Sequence, residues 1–162
     1  MLKAICSAKE LTGSGYYLYI KDLIGAPEVE KLKEIPHHIS TTRFQHCLNV
    51  SYHGYIICRK LHLDARAAAR AGLLHDLFYY NTKREKGQPR HSNQHSNIAL
   101  HNAENLTDIN EKEHDIIVKH MWPMTLKMPK YKEAYIITFV DKYCAVLEFC
   151  VPKMKRILPK YR

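Results

Sequence analysis

The segment 65–77 constrains this chain most: an alanine-rich run, Ala67-Ala68-Ala69-Arg70-Ala71-Gly72-Leu73-Leu74, ends in the polar pair His75-Asp76. Alanine has the best helix propensity and lets neighbouring helices approach closely, so the run reads as a central buried helix with Asp64 as its N-cap. An imidazole and a carboxylate at the end of an apolar core helix need partners there. The chain offers others at intervals: His46 in Phe44-Gln45-His46-Cys47, His95 in Asn93-Gln94-His95-Ser96, His120 in Lys119-His120-Met121-Trp122, and Asp141 in Val140-Asp141-Lys142.

The rest of the chain reads as helices around that segment. Ser40, Thr41 and Thr42 offer N-cap hydroxyls for a helix through Phe44, Leu48, Tyr55 and Leu61, with His46 in its first turns. Residues 79–93 have no apolar period and contain Gly87 and Pro89, which predicts a surface loop of about a dozen residues carrying His91. Helical patterning resumes at Ile98-Ala99-Leu100, then after the turn 107–110 for a helix ending near His120. A last helix is expected over 132–149, closed by Pro152, with Asp141 in its middle. Upstream, Pro27 suits the first turn of a short helix to Ile35. No strand alternation persists and no repeat occurs, so the expectation is an all-α, single-domain bundle of five to six helices. Residues 1–39 are expected to be a helical leader packed on the core, 40–150 the functional domain, and 151–162 a basic tail.

Composition narrows the class. With 162 residues, one domain with a core of its own is expected. No apolar run approaches the roughly 18 residues of a membrane span, and residues 1–15 lack a secretory pattern, so a cytoplasmic protein with no membrane partner is expected. The five cysteines, Cys6, Cys47, Cys58, Cys144 and Cys150, show no Cys-x-x-Cys spacing; they indicate neither a disulfide framework nor a thiolate zinc site, and most read as core residues. Lysine and arginine exceed the acidic residues by 25 − 16 = +9, which favours anionic partners. The clusters at 83–86 and 153–162 match no nucleic-acid motif, so a nucleic-acid partner is not expected. Nothing in the sequence sets the oligomeric state.

Adjacent helical residues point about 100° apart, so His75 and Asp76 do not aim at one point, but the two oxygens of Asp76 can bridge two ions. Imidazole with carboxylate suits iron or manganese, with zinc or cobalt as further options and magnesium less suited. Two such ions can clamp a phosphoryl oxygen and generate hydroxide near neutral pH. Read singly, each of the eleven histidines is more often structural than ligating. By that default His37, His38, His53, His62, His101 and His114 are surface or packing residues, with His101 the rival of His95. Trp122, Tyr79 and Tyr80 read as packing aromatics before base-stacking ones.

The ordered set His46, His75-Asp76, His95, His120, Asp141 resembles the HD-domain metal-dependent phosphohydrolase superfamily over residues 40–148. The segments Phe44-Gln45-His46-Cys47-Leu48-Asn49-Val50, Ala71-Gly72-Leu73-Leu74-His75-Asp76 and Lys119-His120-Met121-Trp122-Pro123 are similar to those of small stand-alone bacterial HD proteins. The resemblance implies His46, His75, Asp76 and Asp141 around a first ion, and Asp76 bridging to a second held by His95 and His120. It implies hydrolysis of a phosphomonoester or phosphodiester, in a phosphorylated small molecule such as a nucleotide, by metal-activated hydroxide. Asp76, Lys142 and His91 are the expected catalytic residues, the latter two as phosphate contact or proton donor. Alternatives are a mononuclear nucleoside monophosphatase and a non-catalytic sensor of a phosphorylated ligand. Many relatives carry a lysine shortly after the His-Asp pair, where this sequence has Tyr79 and Tyr80.

Overall fold

The computed structural model describes residues 14–37, 41–80 and 91–157, with the backbone alone described for 91–93 and 151–157. Among these residues run seven α-helices: α1 (Tyr17–Ile20), α2 (Pro27–Glu30), α3 (Arg43–Lys60), α4 (Ala65–Leu74), α5 (His91–Leu106), α6 (Glu111–Lys119) and α7 (Lys132–Ile157). A 3-10 turn, Lys31–Glu34, follows α2, and the strands β1 (Pro36–His37) and β2 (Thr41–Thr42) pair antiparallel ahead of α3. The all-α class is as expected; α1 and α2 are single turns, and the two-residue ribbon was too short to show in the sequence pattern. No described helix is long and apolar enough to cross a membrane.

Side-chain caps start the helices that matter for the site. The Thr42 hydroxyl accepts from the Gln45 amide at 3.2 Å to open α3, and Asp64 Oδ1 accepts from the Ala67 amide at 3.0 Å to open α4. The Asp64 amide itself donates to Glu133 Oε1 at 3.0 Å, tying the start of α4 to α7. At α6 the Asn110 side chain and Glu113 form a reciprocal capping box. Helix α3 ends in a Schellman turn: the Leu63 amide reaches Cys58 O at 2.9 Å and the His62 amide reaches Arg59 O at 3.3 Å, with His62 left-handed at φ 56°.

Helix α4 is the hub, packed by α3, α6, α7 and α1. Its Ala67, Ala68, Ala69 and Ala71 are buried, and Gly72 lets α3 in closest: a Cβ there would lie 2.8 Å from Ser51 Cα. Ser51 donates to Ala69 O and accepts from the Tyr16 hydroxyl at 2.6 Å, so residue 16 is stitched to both helices. Tyr16, Ile20, Leu23, Val29 and Leu32 complete the core. Cys47, Cys58 and Cys144 are buried free thiols, whereas Cys150 is exposed and Cys6 lies outside the described residues.

Three expected boundaries move. Helix α4 stops at Leu74, not near Leu77, so His75 and Asp76 occupy the turn beyond it. Helix α5 begins at His91, so His91 and His95 lie on a helix, not in a loop; the inward residues of its first turns, His95 and Ser96, are polar and gave no apolar period. The 81–90 part of the expected loop lies outside the described residues. Helix α7 continues through Pro152 to Ile157, because one proline removes a single donor from a helix already five turns long. That helix buries Glu133, Thr138 and Glu148 beside its core residues Ala134, Ile137, Val140 and Cys144, while Phe139, Tyr143, Val146 and Phe149 are exposed.

Gly72→Ala should cost about 1–3 kcal/mol of stability, the usual penalty of overpacking, because the obstructing Ser51 atoms are backbone. Thermal unfolding of the variant checks this; an unchanged Tm would show that α3 and α4 can part without strain.

Candidate metal centre

Two helix ends supply two of the imidazoles in the same way. The last carbonyls of a helix have no intrahelical partner. His75, the C-cap of α4, donates its Nδ1 proton to Gly72 O at 2.9 Å; His120, the C-cap of α6, donates to Ile117 O at 2.8 Å. A carbonyl can only accept, so in the neutral ring the lone pair sits on Nε2 and faces inward. Helix α5 brings the Nε2 of His95 within 2.9 Å of the Nε2 of His120. Helix α3 brings His46, whose Nε2 lies 3.0 Å from Asp141 Oδ1 of α7.

Asp76 stands between these groups. Its Oδ1 is 3.6 Å from the Nε2 of both His95 and His120. The ligating atoms of Asp76, His95 and His120 all lie within 4.8 Å of one another, as do those of His46, His75 and Asp76. Asp141 adds Oδ1 at 3.7 Å from His75 Nε2. The turn that carries Asp76 is pinned on both sides: Asn102 donates to Leu77 O at 2.7 Å, and Arg43, buried under the Phe78 ring, donates to Phe78 O and to Tyr80 O. All six expected ligands therefore converge at one end of the bundle.

The arrangement suits cations. Among the described residues the Nε2 of His75 and Oδ1 of Asp76 are buried without a hydrogen-bond partner, a costly condition for polar atoms. Edges of 2.9, 3.6 and 3.6 Å in the Asp76–His95–His120 triangle are close to the roughly 3.0–3.4 Å between neighbouring donors each about 2.1 Å from a shared ion. No candidate group among the described residues contains a cysteine, so the donor set is imidazole and carboxylate.

Electrostatics leave Asp76, Asp141 and His120 ready to ligate, whereas the acidic groups around His46 and His75 favour a proton on each of those rings. Burial opposes the charge on Asp76 and Asp141, but the imidazoles around each outweigh it and hold both carboxyls below their ordinary range. Burial, with the charge of His75 added, pushes His120 down to about 4, so it is neutral at pH 7. His46 goes the other way: burial disfavours its charge, yet its hydrogen bonds to Asp141 and Glu148 lift it to about 10.

The other expected residues fall elsewhere. Lys142 donates to His120 O at 2.8 Å and lies 3.8 Å from Asp141 Oδ2, so its ammonium steadies the end of α6. The His91 backbone opens α5, but its side chain lies outside the described residues, as does His38. His101 is exposed near Asn105, which leaves the inward position to His95; His62 and His114 are exposed too. Trp122 packs edge-on against Tyr135 and Phe139. Sequence reasoning missed Glu148, whose carboxylate lies 3.0 Å from His46 Nδ1, and His37, whose ring lies 4.2 Å from that of His46. The seven-residue step from Asp141 to Glu148 was the available signal, since it returns to the same helix face.

Protonated His46 contributes stability that is complete below its unfolded pKa of about 6.5 and is lost as pH rises through about 10. Metal-free protein should therefore lose Tm between about pH 7 and 10, with His46→Gln removing the part of that slope that His46 supplies beside the similarly raised His75, while affinity for manganese rises across the same window because the ion displaces the proton. A metal-free Tm with the same slope in both proteins would contradict this.

The HD domain family matches residues 43–146, more than half of the chain. Comparisons with curated proteins and with solved structures return no match. The matched span begins at Arg43, three residues before His46, and ends five residues after Asp141, so it contains all six converging side chains. The chain belongs to the HD-domain family.

Proposed function

We propose that this protein is a metal-dependent phosphohydrolase working with two transition-metal ions on a phosphomonoester or phosphodiester, most suitably in a nucleotide. The observation that carries the reading is the sharing of Asp76 between two ligand groups, His46–His75–Asp76 and Asp76–His95–His120. His46, His75, Asp76 and Asp141 would hold one ion, and Asp76, His95 and His120 the other, iron or manganese suiting the donors best. Bound there, the ions would supply Lewis acidity, which acidifies water near neutral pH and offsets charge on phosphoryl oxygens.

The chain's own residues do the rest. Asp76 and Asp141 enter as carboxylates, being held below the ordinary range. Lys142 and Ile117 O fix His120 from two sides, and Gly72 O fixes His75, so the donor set is organised before ligand arrives. Lys142 thereby acts through His120. We assign protonation of the leaving oxygen to His91, one helical turn ahead of His95 at the N-terminus of α5. The net charge of +9 favours approach of an anionic substrate.

Metal analysis of anaerobically purified protein should find two ions per chain, falling to one in His95→Ala and His120→Ala. Asp76→Ala should lose both ions and reduce turnover to background across a nucleotide panel with iron(II), manganese(II) or cobalt(II), while keeping its helical circular dichroism. A single ion in the wild type, unaffected by either histidine change, would favour the mononuclear alternative; binding without turnover across the panel would favour a sensor.

A further inference from the structure

Three imidazoles of the centre have described partners on their Nδ1 atoms, and one obtains its partner differently. His75 and His120 sit at helix C-caps and use carbonyls three residues back that the helix leaves unsatisfied. His46 lies in the second turn of an 18-residue helix, where the preceding carbonyls are engaged by the helix itself. Its partner has to come from another element. Glu148 of α7 supplies it, with Oε2 at 3.0 Å from His46 Nδ1 and a side chain 7% exposed.

Glu148 is itself held from several sides. Asn49 Nδ2 donates to its Oε1 at 3.1 Å, and Gln45 Nε2 in turn donates to Asn49 Oδ1 at 2.9 Å. The Thr41 hydroxyl, on β2, lies 3.4 Å from Oε2, with its proton directed to His37 O at 2.9 Å. Gln45, His46 and Asn49 are neighbours on one face of α3, so the carboxylate docks against a surface prepared for it. Glu148 also follows Asp141 by seven residues, about two helical turns, so one face of α7 presents a carboxylate to each nitrogen of the same imidazole. It lies two residues beyond the span matched by the family.

We propose that Glu148 is a positioning residue: by accepting the Nδ1 proton of His46 it fixes that tautomer and turns the Nε2 lone pair toward the ion site shared with His75, Asp76 and Asp141. A carboxylate on the far nitrogen also makes the imidazole a stronger donor. The inference rests on the metal centre proposed above. The rival is an ion held directly by His37, His46 and Glu148, whose donor atoms also lie within 4.8 Å of one another. It would require His46 to lend both nitrogens, and so give up both protons, if the ion beside Asp141 is present as well. The Asn49 amide already directed at Glu148 fits a hydrogen-bonded anchor better than a ligand.

The test measures manganese(II) and zinc(II) dissociation constants on the full chain by chelator competition, together with the nitrogen-15 shifts of His46 in zinc-loaded protein. Glu148→Ala should weaken binding by about 10–100-fold, the usual effect of losing such a partner. Glu148→Gln, which keeps an acceptor oxygen, should recover much of it, and His37→Ala should leave ion stoichiometry unchanged. Wild-type His46 should show a protonated Nδ1 and a metal-bound Nε2, a signature that a general loss of stability would not produce. Equal affinity in wild type and Glu148→Ala, or zinc on His46 Nδ1, overturns this proposal alone. Gln as damaging as Ala together with an ion lost in His37→Ala makes Glu148 a ligand and overturns it too. A wild type that binds no ion overturns it along with the reading on which it rests.

Discussion

Four imidazoles and the carboxylate of Asp76 are packed almost out of contact with water at one end of this bundle. Two of their inward-facing atoms, His75 Nε2 and Asp76 Oδ1, have no hydrogen-bond partner among the described residues. Buried polar atoms cost free energy unless satisfied, so such a cluster persists only where the surrounding fold dictates it and where something compensates it. The structure answers the first demand through its helix ends. The second demand is what the proposed cations would meet.

The geometry follows from where helices stop. Helices α4 and α6 end one residue before His75 and His120, and their unsatisfied carbonyls hold the two rings. Helix α7 contributes Asp141, Lys142 and Glu148 within two turns, each touching the centre or a residue of it. Its inward face thus carries polar residues among its apolar ones, while Phe139, Tyr143, Val146 and Phe149 are left exposed. Close packing of α3 on α4 at Gly72 sets how near His46 comes to His75, with ring centroids 5.5 Å apart.

Much of this was legible in the sequence because its signals were local or ordered. The Thr42 and Asp64 caps, the alanine-rich hub and the breaks at 107–110 gave the helices, and the order of His46, His75-Asp76, His95, His120 and Asp141 gave the convergence. The start of α5 was hidden because His95 and Ser96 are buried polar residues, which apolar periodicity reads as loop. Glu148 and Arg43 were hidden for a related reason: charged residues are scored as surface until a fold shows the partners that let them be buried. Pro152 was read as a stop because local rules weigh one lost hydrogen bond and not the long helix behind it.

Anomalous diffraction from crystals of the manganese-loaded protein tests the central claim most directly. The account predicts two peaks flanking the Asp76 carboxylate, one beside His46, His75 and Asp141 and the other beside His95 and His120. A single peak distant from Asp76, or peaks only at surface histidines such as His101 and His114, would contradict it.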